Sequence, residues 1–250
     1  MSAKSGPAIP NVKGGGYKPQ SSSNVLTYVL VTLSVIVLAA LIIGGVVLGA
    51  NRSKESSVDH NGTVTSGSTD LTVGAATAKA TIDLFEDPLC PACGQFERTQ
   101  GEQVTSAIRD GKLRVRFHML NFLNSGSSSR DYSTRAGAAM QCVAGEKNQD
   151  LFLKFHSELF QQQPMEGGST DHSNDDLAKI AKSAGANEAT QRCIATGAQV
   201  EAATKAAQES LNQLSKAVGG NVSTPSVLLE GKKVELSNPN WLTDILNNKN

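Results

Sequence analysis

The stretch Thr81-Ile-Asp-Leu-Phe-Glu-Asp-Pro-Leu-Cys-Pro-Ala-Cys93 decides the fold of this 250-residue chain. Apolar and polar side chains alternate over residues 81–86, which predicts a β-strand that Pro88 ends. A helix is predicted to follow from Pro91 to Arg109, with Gly111 just after its end. The stretch therefore carries two cysteines at the point where a strand passes into a helix.

A second strand is predicted on the far side of this helix. Residues 113–120 alternate clearly between apolar and polar side chains. A strand, a helix and a strand joined by short connections form a βαβ unit, whose two strands lie parallel and adjacent. The chain is therefore predicted to belong to the α/β class.

The second half of the chain reads as a helical block followed by a strand hairpin. Helical spacing of apolar residues predicts helices over about residues 130–218, with Gly197 dividing the last long stretch. Strand character returns at residues 226–229 and 233–236, which a tight turn joins, and a short final helix opens at residues 238–241. The helices are thus inserted between strands of one sheet.

Charge is segregated along the chain, although its formal net charge is zero. Residues 1–24 hold three lysines and no acid, and residues 25–50 hold no charged side chain. The remaining residues 51–250 hold 20 basic and 23 acidic side chains, a net charge of −3. A dedicated nucleic-acid binder needs a basic stripe, so a balanced or acidic body argues against that class.

The uncharged run at residues 25–50 predicts a single transmembrane helix. A membrane-spanning helix needs about 20 apolar residues, whereas the apolar region of a cleaved signal peptide has about 7–15. The lysines of residues 1–24 favour a cytoplasmic position for that disordered tail. Residues 51–70 are polar and are interpreted as a flexible tether, which leaves residues 71–250 as an extracytoplasmic folded domain.

The motif Cys90-Pro91-Ala92-Cys93 carries the chemistry. The first cysteine is expected at the helix N-terminus, where unsatisfied N–H groups and the helix dipole stabilise a thiolate. A thiol in such a place has a pKa below about 8.5. Cys90 is therefore the predicted nucleophile, and Cys93, one turn on and less exposed, is predicted to resolve the mixed disulfide.

The cysteines and histidines also allow other roles. A zinc site needs a second Cys or His pair at short spacing, and no such pair is present, so no metal or organic cofactor is expected. Cys142 and Cys193 either form a structural disulfide or remain two buried thiols. All four cysteines follow the apolar run, which fits an oxidising compartment. His118 and His156 are expected to be packing residues.

These features together resemble the DsbA-like thiol:disulfide oxidoreductases, in particular the membrane-anchored forms of actinobacteria. The resemblance covers about residues 70–250 and implies a thioredoxin-like fold with an inserted α-helical subdomain. It also implies that Pro225, after Thr224, is cis and faces the CxxC pair in the groove where an extended substrate binds. Similar actinobacterial proteins carry a second disulfide in the helical subdomain, which supports a Cys142–Cys193 bond.

Two departures from the family pattern affect the expected chemistry. The central dipeptide is Pro-Ala, whereas the strongest oxidants of the family carry Pro-His, so a less oxidising site is expected. The buried acid that many members place six residues before the first cysteine is Leu84 here. Glu86 is the candidate proton acceptor for Cys93, with Asp87 as the alternative, since strand alternation does not decide which one points inward.

The resemblance implies an oxidase that introduces disulfides into exported proteins. Its expected partners are unfolded or newly exported thiol-containing proteins and a membrane reoxidant that resembles vitamin K epoxide reductase, and the chain is expected to be a monomer. The alternatives are a thioredoxin-like reductase or isomerase, and a non-catalytic binding or sensor domain, because a fold alone does not determine function.

Overall fold

The computed structural model describes residues 62–248. The six strands are β1 (Thr65–Ser66), β2 (Leu71–Val73), β3 (Ala80–Glu86), β4 (Leu113–Met119), β5 (Ser226–Leu229) and β6 (Lys232–Lys233). The α-helices are α1 (Pro91–Arg109), α2 (Tyr132–Ala144), α3 (Gln149–Gln161), α4 (Asn174–Ala184), α5 (Glu188–Ala195), α6 (Val200–Val218) and α7 (Trp241–Leu246).

The strands form one mixed sheet in the order β1-β2-β4-β3-β5-β6. Strands β3 and β4 are parallel neighbours with α1 between them in sequence, which confirms the predicted βαβ unit. Every other neighbouring pair is antiparallel. Helices α2 to α6 separate β4 from β5, so the predicted helical insertion is also present in a thioredoxin-like arrangement.

Local signals in the sequence account for the boundaries inside the helical block. Ser173 and Asp176 form a reciprocal capping box at the start of α4. Gly197 lies between α5 and α6 with a φ of 66°, a conformation that glycine adopts without a Cβ clash. A disulfide joins Cys142 on α2 to Cys193 on α5, with a Cα–Cα distance of 5.9 Å.

Strand β3 is buried on both of its faces. Ile82 and Leu84 point into the main core, which they share with Phe96 and Ile108 of α1. Phe85 points the other way, into a smaller cluster that includes Leu214 of α6. Because helices cover both faces, residues 82–86 are all buried, and a simple inside–outside alternation is lost.

A buried polar network fixes the α6 face of the sheet. Asp83 on β3 accepts two hydrogen bonds from Arg116, at 2.6 and 2.7 Å, and lies 3.0 Å from Nε2 of His118. Nδ1 of His118 is 3.1 Å from Oγ of Ser210 on α6, and that hydroxyl donates to the carbonyl of Thr69 at 2.9 Å. Burial acts to raise the pKa of Asp83, but the bonds from His118 and Arg116 outweigh it and hold the pKa below its usual value. His118 is thus a structural residue, as expected.

The structure corrects two boundaries that were predicted from the sequence. The sheet begins before residue 71, because β1 pairs with β2 and Val64 is 1% exposed, so the predicted tether at 51–70 extends too far. The last strand covers Lys232–Lys233 rather than 233–236; the N–H of Val234 still donates to the carbonyl of Val227, and the chain then leaves the sheet. The predicted transmembrane helix at 25–50 lies outside the described residues, and within 62–248 no helix is long and apolar enough to cross a membrane.

The Cys142–Cys193 bond should contribute measurably to stability. It joins residues 51 positions apart, and closing a loop of that length stabilises a fold by about 4 kcal/mol in the chain-entropy model. Replacing both cysteines with serine in a Cys90→Ser background should therefore lower the free energy of unfolding by about 4 kcal/mol in urea titrations. The Cys90→Ser chain with the bond intact is the control, and a loss below about 1 kcal/mol would contradict the structural role.

Candidate active site

The CxxC pair lies at the junction of β3 and α1. Cys90 is the N-cap residue of α1, and Pro91 takes the first helical position, where its missing N–H costs no hydrogen bond. Cys90 is 8% exposed and Cys93 is fully buried, and both are free thiols. Pro91 and Ala92 are exposed between them. The pair therefore presents one sulfur near the surface and keeps the other inside, as predicted.

The two thiols have opposite proton affinities. A hydrogen bond with Cys93 is the main cause that lowers the pKa of Cys90 to about 5. Burial opposes this, while contacts with Thr224 and the backbone N–H groups of Cys93 and Ala92 reinforce it. Burial raises the pKa of Cys93 far above its usual value. At neutral pH Cys90 is accordingly a thiolate and Cys93 a thiol.

The loop before β5 closes one side of the site. The Thr224–Pro225 peptide bond is cis, as the family resemblance implies. Ser226 pairs with Phe85 in the sheet, and this register brings the loop to the end of β3 from which the chain passes to Cys90. The carbonyl oxygen of Thr224 lies 3.5 Å from Sγ of Cys90. The structure therefore places Thr224 and Pro225 against the nucleophilic sulfur.

Asp87 holds the active-site loop in place. Its Oδ1 accepts from the backbone N–H of Leu89 at 2.9 Å and from the hydroxyl of Ser133 at 2.6 Å. Its Oδ2 accepts from the backbone N–H of Leu123 at 3.0 Å. Burial raises the pKa of Asp87 to about 6. Both oxygens of this carboxylate are thus engaged in positioning the loop.

Glu86 is the acid that faces the interior of the site. It is fully buried, and burial raises the pKa of its carboxyl to about 8. Its charge in turn raises the pKa of Cys93, which places the two groups within electrostatic reach of each other. Its carboxyl group also hydrogen-bonds with the carboxyl group of Glu97. Of the two candidate acids, Glu86 is the one whose charge acts on Cys93, whereas both oxygens of Asp87 are occupied by the loop.

Two further residues lie beside Glu86 that the sequence interpretation missed. Nε2 of His156, on α3, is 2.9 Å from Oε2 of Glu86, and Nδ1 of the same ring is 3.5 Å from Oε2 of Glu97 on α1. His156 was expected to be a packing residue, and Glu97 was not singled out. The one signal for Glu97 was its position four residues after Cys93, which puts both on one helix face. For His156 no signal existed, because its partners come from other elements.

Large apolar side chains are exposed beside the CxxC loop. In residues 62–248, Phe122 is 40% exposed and Met165 is 76% exposed. Leu123, next to Phe122, packs against Cys90 and Cys93. The segment that precedes Met165 is tied to the loop by Gln163, whose amide donates to the carbonyl oxygens of residues 88 and 90 at 2.9 and 2.8 Å. An apolar rim therefore adjoins the reactive sulfur.

The lowered pKa of Cys90 predicts a distinctive alkylation profile. Iodoacetamide reacts with thiolates, so the rate of modification of the reduced full-length chain should reach half its maximum near pH 5 and stay level above pH 7. Mass spectrometry of peptides should find the label on Cys90 and none on Cys93. A Cys90→Ser chain is the control and should remain unlabelled at neutral pH. A rate that still climbs between pH 7 and 9 would show an ordinary thiol.

Similarity to known proteins agrees with this geometry. A family model described as thioredoxin matches residues 66–248. The structure of MdbA, a thiol-disulfide oxidoreductase from Corynebacterium diphtheriae, superposes with a TM-score of 0.66 at 29% identity, and covers 77% of this chain and 96% of that chain. Reduced DsbA from Mycobacterium tuberculosis gives a TM-score of 0.61 at 30% identity, over 72% of this chain and 91% of that chain.

A curated relative of different architecture also matches. The serine/threonine-protein kinase PknE of Mycobacterium tuberculosis is 43% identical over 141 residues, which is 55% of this chain and 25% of the kinase. The present chain therefore corresponds to about a quarter of that protein.

The family model covers most of the chain and the oxidoreductases cover most of its fold, and both agree with the CxxC site at the start of α1. The chain belongs to the thioredoxin family, as a DsbA-like protein thiol:disulfide oxidoreductase.

Proposed function

We propose that this protein is an extracytoplasmic oxidase that introduces disulfides into exported proteins. In this proposal, a substrate thiolate attacks Sγ of Cys90 in the oxidised Cys90–Cys93 pair, and the Cys93 thiolate leaves and takes up a proton. A second substrate thiolate then attacks the substrate sulfur of the mixed disulfide and releases Cys90. The substrate loses two electrons, and the CxxC pair gains them.

The observation that carries the proposal is the stabilised thiolate of Cys90. A pKa of about 5 makes the thiolate predominate over the thiol by about a hundredfold at pH 7. A tenfold change in this equilibrium corresponds to about 30 mV in the potential of a two-electron couple, so the stabilisation makes the disulfide more oxidising by about 60 mV. A CxxC pair whose reduced form is stabilised in this way is a good disulfide donor.

The second disulfide and the exposed apolar rim support an exported role. Disulfides such as Cys142–Cys193 persist in oxidising compartments, outside the cytosol. The side chains of Phe122 and Met165 offer apolar contact to a client that is not yet folded, since unfolded chains expose apolar residues. An extended client backbone would run between this rim and the loop of Thr224 and Pro225. Such contacts favour unfolded clients over folded ones and do not require a particular client sequence.

Topology and partners are part of the same proposal. The uncharged run at residues 25–50 would anchor the protein as one transmembrane helix, with the lysine-bearing residues 1–24 in the cytoplasm. A membrane-bound reoxidant that resembles vitamin K epoxide reductase would then regenerate the Cys90–Cys93 disulfide. In this proposal the enzyme acts as a monomer.

The kinase relative favours a second candidate function. A domain that is 43% identical over 141 residues to part of a serine/threonine kinase could serve as a sensor that reports redox state or binds a ligand. In that case the CxxC pair would change state without turning over clients. A reductase is the other alternative, and it would have a lower potential than an oxidase.

One pair of measurements tests the oxidase against both alternatives. The full-length chain in detergent should have a reduction potential between about −270 mV, the value of thioredoxin, and about −120 mV, the value of the most oxidising DsbA. It should also restore activity to a reduced, unfolded substrate. Cys90→Ser should abolish this activity, and Cys93→Ser should accumulate the mixed disulfide. A potential near −270 mV without oxidase activity would favour a reductase, and turnover that survives Cys90→Ser would refute the redox mechanism.

The proposed topology has its own test. Alkaline phosphatase fused after residue 250 should be active in cells, because that enzyme folds only outside the cytoplasm, and green fluorescent protein fused at the same place should be dark. Fusions at residue 1 should show the opposite behaviour and serve as controls. Active phosphatase at the N-terminus would reverse the orientation.

A further inference from the structure

Three buried groups lie in a row behind the active site. Oε2 of Glu86 is 2.9 Å from Nε2 of His156, and Nδ1 of His156 is 3.5 Å from Oε2 of Glu97. The side chains of Glu86, His156 and Glu97 are 0%, 4% and 8% exposed. They come from β3, α3 and α1, so the fold rather than one local segment brings them together.

The arrangement is that of a cluster joined by hydrogen bonds from Glu86 to His156 and to Glu97, rather than of a cation site. Glu86, Glu97 and His156 are close enough in principle to ligate one ion. A metal is bound through one nitrogen of an imidazole. Here each carboxylate is nearest to a different nitrogen of the ring, and a hydrogen bond joins the two carboxyl groups directly. That bond requires a proton between the two oxygens, so Glu97 can pass a proton to Glu86.

The surroundings of His156 suit this exchange. The rings of Phe117, Phe152 and Phe160 lie around it, with centroids 4.8, 6.5 and 5.0 Å away. Burial lowers the pKa of His156, so the imidazole is neutral, with one N–H and one free acceptor. Burial raises the pKa of Glu86 and of Glu97 to about 8 in each case. The three groups are therefore largely uncharged near neutral pH.

The outer end of the row reaches solvent. Glu97 lines a surface groove of about 520 Å³ between α1 and α3. The other charged side chains of this groove are Glu102 and Arg109 on α1 and Asp150, Lys154 and Glu158 on α3. At the inner end, Glu86 and Glu97 act on each other, Cys90 also acts on Glu86, His156 acts on Glu97, and Glu86 acts on Cys93. The row thus connects the buried sulfur with water at a place distinct from the loop of Thr224 and Pro225.

We propose that Glu86, His156 and Glu97 form a proton path between Cys93 and the groove that α1 and α3 line. When a client reduces the pair, the Cys93 thiolate leaves and takes the proton of Glu86. Glu97 returns a proton to Glu86 across the hydrogen bond between their carboxyl groups, His156 holds Glu86 from the other side through Nε2, and water in the groove reprotonates Glu97. Reoxidation runs the path in reverse. A client that covers Cys90 therefore leaves the proton path open.

This inference rests on the proposed redox function and can be tested apart from it. Reduced full-length chain is mixed with glutathione disulfide, and samples are quenched with acid and weighed by mass spectrometry. In the first step, the Cys90 thiolate attacks a glutathione sulfur, a mixed disulfide forms, and one glutathione thiolate leaves. In the second step, Cys93 loses its proton to Glu86 and attacks Sγ of Cys90, and the second glutathione leaves as a thiolate. The two steps give separate rate constants.

Changes at the outer end of the path should slow only the second step. Glu97→Gln should reduce its rate about tenfold at pH 7, because a group that can exchange a proton with water is lost. His156→Phe, which keeps an aromatic ring among Phe117, Phe152 and Phe160, should do the same. In the unaltered chain the second rate should rise with pH through about 8, the pKa of the two acids. In both variants the second rate should increase less steeply with pH.

Glu102→Gln is the matched control, because Glu102 lies on the same helix and in the same groove but is exposed. It should leave both rates unchanged. An unchanged second step in Glu97→Gln at every pH would overturn the path, as would an equal fall of both steps, which would indicate a general structural effect. If His156→Phe does not fold, Glu97→Gln alone decides. A chain whose Cys90 fails to attack glutathione disulfide would instead refute the redox function on which the path depends.

Discussion

The carboxylate of Asp87 is the constraint on which the active site depends. It takes three hydrogen bonds, from the backbone of Leu89, the backbone of Leu123 and the hydroxyl of Ser133. These bonds join the turn that leads to Cys90 to the segment after β4 and to the first turn of α2. A buried carboxylate costs free energy unless hydrogen-bond donors surround it. The three donors therefore hold these segments together when Asp87 is ionised. The position of Cys90 at the start of α1 follows from that arrangement.

The local parts of the fold could be predicted because their signals lie close together in sequence. Strand β3 and helix α1 follow from alternation, from Pro88 and Pro91 and from the glycine after the helix, and α1 has the predicted bounds. The position of Cys90 and Cys93 follows from the same signals, because a short strand-to-helix join leaves few places for the pair. The cis bond before Pro225 and the Cys142–Cys193 bond depend on contacts between distant segments, and they were expected through the family resemblance.

The role of Glu86 could not be derived from alternation, for a physical reason. Helices cover both faces of β3, so Glu86 and Asp87 are equally buried and a pattern of exposure does not separate them. The hydrogen bonds of Glu86 and Asp87 are what distinguish the two acids. Glu86 shares a face with Leu84 and lies two residues nearer to Cys90 along it. Its partners His156 and Glu97 come from helices that no local pattern relates to β3.

The site therefore places a group of lowered pKa a short distance from groups of raised pKa. At the start of α1, a hydrogen bond with Cys93 lowers the pKa of Cys90, Thr224 and backbone N–H groups reinforce it, and the sulfur is a thiolate at neutral pH. Inside, burial keeps Cys93, Glu86 and Glu97 protonated near neutral pH. Each disulfide exchange must change the charge on Cys93, and an isolated charge in this core would be costly. Two hydrogen-bonded acids, with a neutral imidazole beside them, let the proton follow the electrons, so the interior stays uncharged while Cys90 changes partners. Because the acids come from β3 and α1 and the imidazole from the inserted helices, the insertion contributes to the redox centre as well as covering the sheet.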